Sequence, residues 1–470
     1  MSSYQPAPLP VSNPTSSYWL SQPHPVLENF CSSGGELPSH ADTVIIGSGI
    51  TGALIAQQLF ARSPNANGKR VVMLEARSVT SGATGRNGGH IKPDCYKNFA
   101  TFQKRHGSEM AKMLCRYELE NMKESAQFII DQGLDDAVDL VKTHAVDVFM
   151  DKKAWEDAQH SLKLYREAGG DLSDITVHDQ AQSEQKFRFK GVLGAVSYPA
   201  CSLWPYKLAV GLIERAVSDG LQLFTNTPAV AISPAPNGKW HIETNKGRIT
   251  CDRIFHATNA YISKLVPDFA GKIVPVKGNV VAIEPGSGFS SQPLDHTCSI
   301  QWGSDFDYMI QRPTDGKPFI FGGGDLAHPR KLAGPFGDAD DSTTTPEIVD
   351  ALLQFPAKYM KGWGDKVSAR VAWSGIMGFT ADDQPFIGEL PGRTGQFVAA
   401  GYTGHGMARV FLAAKALVRL AHNEAVDPTV PGVYFDIETR LKQKDEEWDS
   451  ILKEGYSGLE ESRRVPLQKL

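Results

Sequence analysis

Short unbroken apolar runs punctuate the first part of the chain. Thr43-Val44-Ile45-Ile46 and Val71-Val72-Met73-Leu74 are too short for amphipathic helices and rich in β-branched residues, which predicts strands buried on both faces. Residues 50–62 between them predict a helix, and helical periodicity returns over 107–133 and over 152–168, the latter closed by Gly169-Gly170. From about 191 to 325, short strands alternate with turns such as Asn245-Lys246-Gly247 and Pro285-Gly286-Ser287-Gly288. A helix at 205–219 and a short one near 260 interrupt that β-rich stretch. Residues 326–345 form a Gly-, Asp- and Pro-rich loop, and Gly324-Asp325-Leu326-Ala327-His328-Pro329, which runs into it, is read as a β-turn after a strand Pro318–Phe321. Residues 397–400 are apolar, Gly401 to Gly406 make a glycine-bearing turn, and 407–422 are helical. A polar helix is predicted over 434–454. At the other end, residues 1–40 are rich in Pro and Ser and show no period, so they predict an extended arm; Tyr18 and Trp19 inside it predict packing on the body. The sum is an α/β chain.

Composition narrows the function classes. The 470 residues are 41% hydrophobic and 21% charged, which fits a soluble globular protein of two or three domains. The net charge of −5 and the lack of a basic block argue against nucleic acid as a partner. Six cysteines stand without a CxxC pair and the histidines without a ligand spacing, which predicts free thiols and no metal. No apolar stretch reaches 18 residues, and the first forty lack signal-peptide and transit-peptide features, so no membrane association and a cytoplasmic location are expected. The final Gln468-Lys469-Leu470 loosely echoes a peroxisomal ending.

The candidate chemistry starts at Gly47-Ser48-Gly49-Ile50-Thr51-Gly52, which follows a strand and opens a helix, with Glu75-Ala76 closing the next strand. Gly47 permits the tight turn, Gly49 lets the backbone approach a pyrophosphate, and Gly52 lets helix and strand pack closely. The helix N-terminus favours phosphates, and Glu75 would accept hydrogen bonds from a ribose hydroxyl. Strand, glycines, helix, strand and acid in that order predict a dinucleotide site; a ligand-free Gly-rich turn is the alternative.

Directly after the acid lies Ser81-Gly82-Ala83-Thr84-Gly85-Arg86-Asn87-Gly88-Gly89-His90. With it the chain resembles the D-amino-acid-oxidase-like family of FAD enzymes, which includes glycine oxidase, sarcosine oxidase and γ-glutamylputrescine oxidase. Further matches follow in family order: His256 to Tyr261, Pro275 to Asn279, Tyr308 to Arg312, Gly322 to Gly324, Trp373 to Gly375, Thr380 to Gly388 and Ala400 to Gly406. The likeness spans about residues 40–425, and its γ-glutamylputrescine-oxidase-like branch fits best.

The resemblance implies a Rossmann-like FAD-binding domain of the glutathione-reductase type, from residues 40–100, 200–270 and 370–425. It is interleaved with an antiparallel β-sheet substrate domain from 135–200 and 272–370, and 426–470 form a C-terminal helix and tail. It further implies that Arg86, Asn87, Gly88 and Gly89 run beside the flavin, and that Gly401, Thr403, Gly404, His405 and Gly406 pack under its ring. At the positions through which relatives attach flavin by Cys or His the chain has residues near Gly375 and Arg86, so non-covalent FAD is expected unless His90 or another residue takes that role. The implied reaction is oxidation of a C–N bond with hydride transfer to the flavin, imine hydrolysis, and reoxidation by dioxygen or another acceptor. Lys277 is the candidate to aid the oxygen step, a plain structural role being its alternative. Tyr308 and His405 are further catalytic candidates. Amino-acid-oxidising relatives hold the substrate carboxylate with a Tyr and an Arg; here the Tyr is Tyr308, but the Arg position is Met377. An amine substrate is therefore expected, unless Arg312 or Arg86 takes over the carboxylate. An amino-acid oxidase or dehydrogenase and an NAD(P)H-using flavin hydroxylase are the alternatives.

Overall fold

The computed structural model describes residues 5–62, 68–303, 305–443 and 448. Two sheets organise them. In the first, the strand His40–Ile46 pairs in parallel with Val71–Leu74 on one side and Gly247–His256 on the other. Gln222–Phe224 and Gln396–Ala400 extend it in parallel, and Phe386–Glu389 closes one edge antiparallel. All four residues of Val71–Leu74 are buried, as a strand covered on both faces requires. The helices Pro205–Ser218 and Gly406–Ala421 both pack on Ile50–Arg62.

The second sheet runs in the order Ala369–Phe379, Val274–Ile283, Phe319–Gly322, Asp305–Gln311, His296–Trp302, Val141–Phe149, Gly194–Ser202, His90–Ile91. It is antiparallel except where His296–Trp302 and Val141–Phe149 run parallel. Ala369–Phe379 belongs to this sheet through its long pairing with Val274–Ile283, although residues from 370 onward were expected with the cofactor unit. Trp373 from that strand is fully buried and donates from Nε1 to Arg86 O at 2.8 Å, which fastens the second sheet to the loop after Glu75.

Most helices match expectation within a residue or two: Ile50–Arg62, Ser108–Asp131, Lys152–Glu167, Pro205–Ser218 and Gly406–Ala421. The polar helix expected over 434–454 is observed only as Ile437–Lys442, and most of its remaining length lies outside the described residues, as does Gln468-Lys469-Leu470. The arm does pack on the body. Trp19 is wholly buried, with Tyr18 and Trp204 rings 5.2 and 5.7 Å away. Among the described residues, no helix is long and apolar enough to cross a membrane.

Candidate functional site

The strand His40–Ile46 turns into the helix Ile50–Arg62 through glycines under three different constraints. Gly47 has φ +107°, and a Cβ there would lie 2.6 Å from Ala257 O. Gly52 sits so close to the turn that its Cβ would lie 2.0 Å from Gly47 O. Gly49 is open by comparison, with only the Thr84 Oγ1 hydroxyl 3.1 Å from a Cβ position. That hydroxyl accepts from Ile50 N at 2.9 Å at the helix start. The helix starts at this turn, and the positive end of its dipole suits phosphate.

Glu75 shapes the turn from the second strand. Its Oε2 accepts from Ser48 N at 3.0 Å and Ser48 Oγ at 2.7 Å, and its Oε1 accepts from Arg77 N at 2.9 Å. A carboxylate offers about four acceptor positions, so capacity for a ribose hydroxyl remains. Glu75→Ala is expected to weaken FAD binding roughly ten- to a hundred-fold, the value of about 1.5–3 kcal/mol for hydrogen bonds to a charged acceptor. Titration of the flavin-free protein with FAD, followed by flavin fluorescence, measures it; unaltered affinity would remove Glu75 from the site.

A cavity of about 1020 Å³ opens between the two sheets. Gly47, Gly49, Ile50, Thr51, Glu75 and Ala76 line one part of it. Arg86, Asn87, Gly88, Tyr308, Met377, Thr403, Gly404, His405 and Gly406 line the rest of the expected site. Its size exceeds the roughly 300–1,000 Å³ of drug-sized ligand pockets, as a dinucleotide plus a substrate requires. Thr258 Oγ1 and His90 Nδ1 belong to wall residues and are buried without a hydrogen-bond partner, which fits a polar ligand. The residues present thus fit a flavin dinucleotide.

Five expected residues do not line the cavity: Ser48, Gly52, Gly89, Gly401 and Lys277. Ser48 and Gly52 shape the turn from behind. Gly89 is glycine because a Cβ would lie 2.4 Å from the Trp19 ring, and Gly401 because one would lie 2.6 Å from Thr380 Cγ2. Lys277 is the substantive difference. Its neighbours Val276 and Gly278 line the cavity, so strand alternation sends Lys277 to the opposite face. There its Nζ lies 3.2 Å from Thr343 Oγ1 and 3.5 Å from Asp338 Oδ2. That placement supports the structural role.

Arg86 lines the cavity but is fully committed. It donates to Ser81 O, Ser374 O, Thr15 O and Thr15 Oγ1, and lies 3.4 Å from Asp341. Burial lowers its pKa to about 10, against the pull of Asp341. Arg312 lies off the cavity, bound to Asp139 at 2.5 Å and set over Trp19 and Trp204. Trp204 and Tyr206 are buried core, likewise off the cavity. His405 sits at the N-cap of Gly406–Ala421, with Nδ1 3.6 Å from Glu118. Burial alone would raise the Glu118 carboxyl, but Arg409, at 2.5 Å, and His405 pull it down to about 2.

Several further wall residues were not among the site residues expected from the sequence. Lys92 lines it, 3.0 Å from Asp147, whose carboxylate also accepts from Tyr96 and Tyr198. Asp305 and Asp325 line it too, and Asp325 Oδ1 is buried without a partner. Burial, then Asp307, raises the Asp325 pKa to about 7. Asp325 comes from the short turn that opens the predicted loop, where its motif had suggested only a β-turn. Outside the cavity, His40, Asp42 and Asp252 come within 4.8 Å of one another, but Lys239 already pairs with Asp252 at 2.9 Å.

Known proteins place this architecture. The chain is 26% identical over 410 residues to "Probable oxidoreductase OrdL" of Rhizobium meliloti, covering 82% of this chain and 84% of that one. It is 24% identical over 392 residues to "Gamma-glutamylputrescine oxidoreductase" of Escherichia coli, covering 82% and 84%. The crystal structure of glycine oxidase from Geobacillus kaustophilus superposes with a TM-score of 0.65 at 19% identity, covering 85% of this chain and 99% of that one. That of L-proline dehydrogenase from P. horikoshii gives 0.66 at 20%, covering 85% and 97%. The family model described as DAO, FAD dependent oxidoreductase, matches residues 42–420, which supply nearly all of both sheets and most of the cavity wall. The chain therefore belongs to the DAO family and is an FAD-dependent oxidoreductase.

Proposed function

We propose that this protein oxidises a C–N bond of a small amine. One observation carries the reading: the cavity offers no guanidinium for a substrate carboxylate. Three arginines line it among the described residues. Arg77 is held by Asp341 with three hydrogen bonds of 2.9–3.1 Å, Arg86 by carbonyls and Asp341, and Arg409 by Glu118. Met377 stands where amino-acid-oxidising relatives are expected to carry the Arg. The likeness to the "Gamma-glutamylputrescine oxidoreductase" of Escherichia coli supports the same class.

Bound FAD supplies a two-electron acceptor for the carbon beside the nitrogen. The chain's own residues do the rest. Asp325, near its titration point at neutral pH, can attract an ammonium group and accept its proton at Oδ1. His90 stays neutral, since burial, with Lys92 and His405, drops its pKa to about 3; it can meet the substrate only as a neutral hydrogen-bonding partner. Met377, Phe379 and Ile376 give an apolar wall, where desolvation favours the neutral amine needed for oxidation. Among the described residues no cysteine lines the cavity, which supports FAD held without a thioether bond. A carboxylate-bearing substrate is the second reading, because Lys97 also lines the wall.

The test is an anaerobic panel of amines and amino acids, scored by loss of the flavin band at about 450 nm. An amine should bleach it fastest. Equal or faster bleaching by glycine, sarcosine or D-alanine would transfer the assignment to amino acids.

A further inference from the structure

The chain carries a segment ahead of the family pattern, which begins at residue 42, and this segment reaches the cofactor cleft. Leu9 and Pro10 line the cavity together with Glu75, Ala76 and Arg77. Both are half-buried apolar residues facing the space where the nucleotide end belongs. We propose that residues 7–17 form a strap that makes one wall of the FAD cleft and slows release of the cofactor.

The strap is pinned at both ends. Ahead of Leu9, Ala7 N donates to the buried Ser263 Oγ at 2.8 Å. Beyond Pro10 the attachments go to Asp341 and to the loop that follows Glu75. Thr15 N donates to Asp341 O at 2.7 Å, Thr15 O accepts from Arg86 Nη2 at 2.8 Å, and Ser17 Oγ donates to Gly85 O at 2.6 Å. Trp19 Nε1 donates to Asn87 O at 2.6 Å. The loop is shaped to receive it: a Cβ on Gly85 would lie 2.9 Å from Leu20, and one on Gly89 would strike Trp19. Between the pins, the hydrogen bond of Arg77 Nη1 to Val11 O, 3.2 Å long, reaches the span. Pro8 and Pro10 fix their own φ, so the span bridges the cleft with little entropy to lose. Arg77 and Arg86 share the buried Asp341, which ties strap, loop and second sheet into one cluster.

The inference rests on the FAD cofactor and not on the substrate class. Two measurements test it on the full chain and on a variant lacking residues 2–13, which keeps the Thr15–Trp19 anchors. Hydrogen exchange of the full chain should show slower exchange at the amides of residues 9 and 11–13 with FAD bound than in flavin-free protein. FAD release, followed by recovery of flavin fluorescence, should be about tenfold or more faster from the shortened variant, since losses of contact act mainly on dissociation. Release within about twofold of the full chain would overturn the strap, on the scale of normal scatter in dissociation rates. If the shortened variant does not fold, exchange on the full chain decides, and equal exchange with and without FAD overturns the strap. A full chain that binds no FAD would instead count against the cofactor assignment.

Discussion

Gly49→Val should give a folded protein that takes up no FAD, whereas Gly52→Val should give one that is both colourless and strongly destabilised. The two glycines sit three residues apart in the same turn, and their surroundings differ. A side chain at Gly52 meets backbone, with Gly47 O 2.0 Å from the Cβ position and Gly47 C 3.1 Å away. Backbone cannot step aside without parting the helix Ile50–Arg62 from the strand His40–Ile46, so the cost is that of severe overpacking, about 1–3 kcal/mol or more. At Gly49 the nearest atom is the Thr84 hydroxyl at 3.1 Å, and the rest of the added volume projects into the cavity. There it takes the space a pyrophosphate needs. Melting of the flavin-free proteins and flavin content after reconstitution separate the two effects. A Gly49→Val protein that loads FAD normally would mean that the phosphates do not pass over this turn.

How much of this was readable in advance follows from how local each feature is. The βαβ unit was legible because its apolar runs, glycines and closing acid lie within residues 43–75 and each answers to a short-range constraint. The helix Pro346–Tyr359 and the strand Val141–Phe149 were not singled out. The strand carries Lys142, His144 and Asp147, and the buried Asp147 is tolerable only because Lys92, Tyr96 and Tyr198 converge on it from elsewhere in the chain. The same limit applies to Asp325, whose neighbours Asp305 and Asp307 are brought to it by the strand Asp305–Gln311, and to Glu118, whose partner Arg409 lies 291 residues away. Lys277 marks the complementary limit. Its motif gave the strand correctly, but the contacts of its Nζ, with Thr343 and Asp338, come from a loop distant in sequence.

Met377→Arg should create activity on small amino acids and reduce that on amines. Met377 lies on the strand Ala369–Phe379 between Gly375 and Phe379, and all three line the cavity. Its surroundings leave room for a longer side chain. Cross-strand Gly278 has no side chain, its Cβ position lying 3.1 Å from Met377 Cε, and Gly404 leaves its own Cβ position 3.6 Å from Met377 Sδ. An Arg there would present a planar fork that can hold a carboxylate bidentately, which methionine cannot do. Charge-assisted hydrogen bonds of about 1.5–3 kcal/mol correspond to a gain of roughly ten- to a hundred-fold in kcat/KM for glycine, sarcosine or D-alanine over the unaltered protein. The same guanidinium, lacking a carboxylate partner when an amine binds, repels an ammonium group and costs desolvation, so amine turnover should fall. Met377→Leu, close in volume and apolar, should keep amine activity within a few-fold. Steady-state kinetics on all three proteins with one amine and one amino acid read out the exchange. If the arginine variant loses amine activity and gains nothing on any amino acid while still binding FAD, then Met377 does not occupy the carboxylate-selecting position, and the apolar wall it forms serves packing alone.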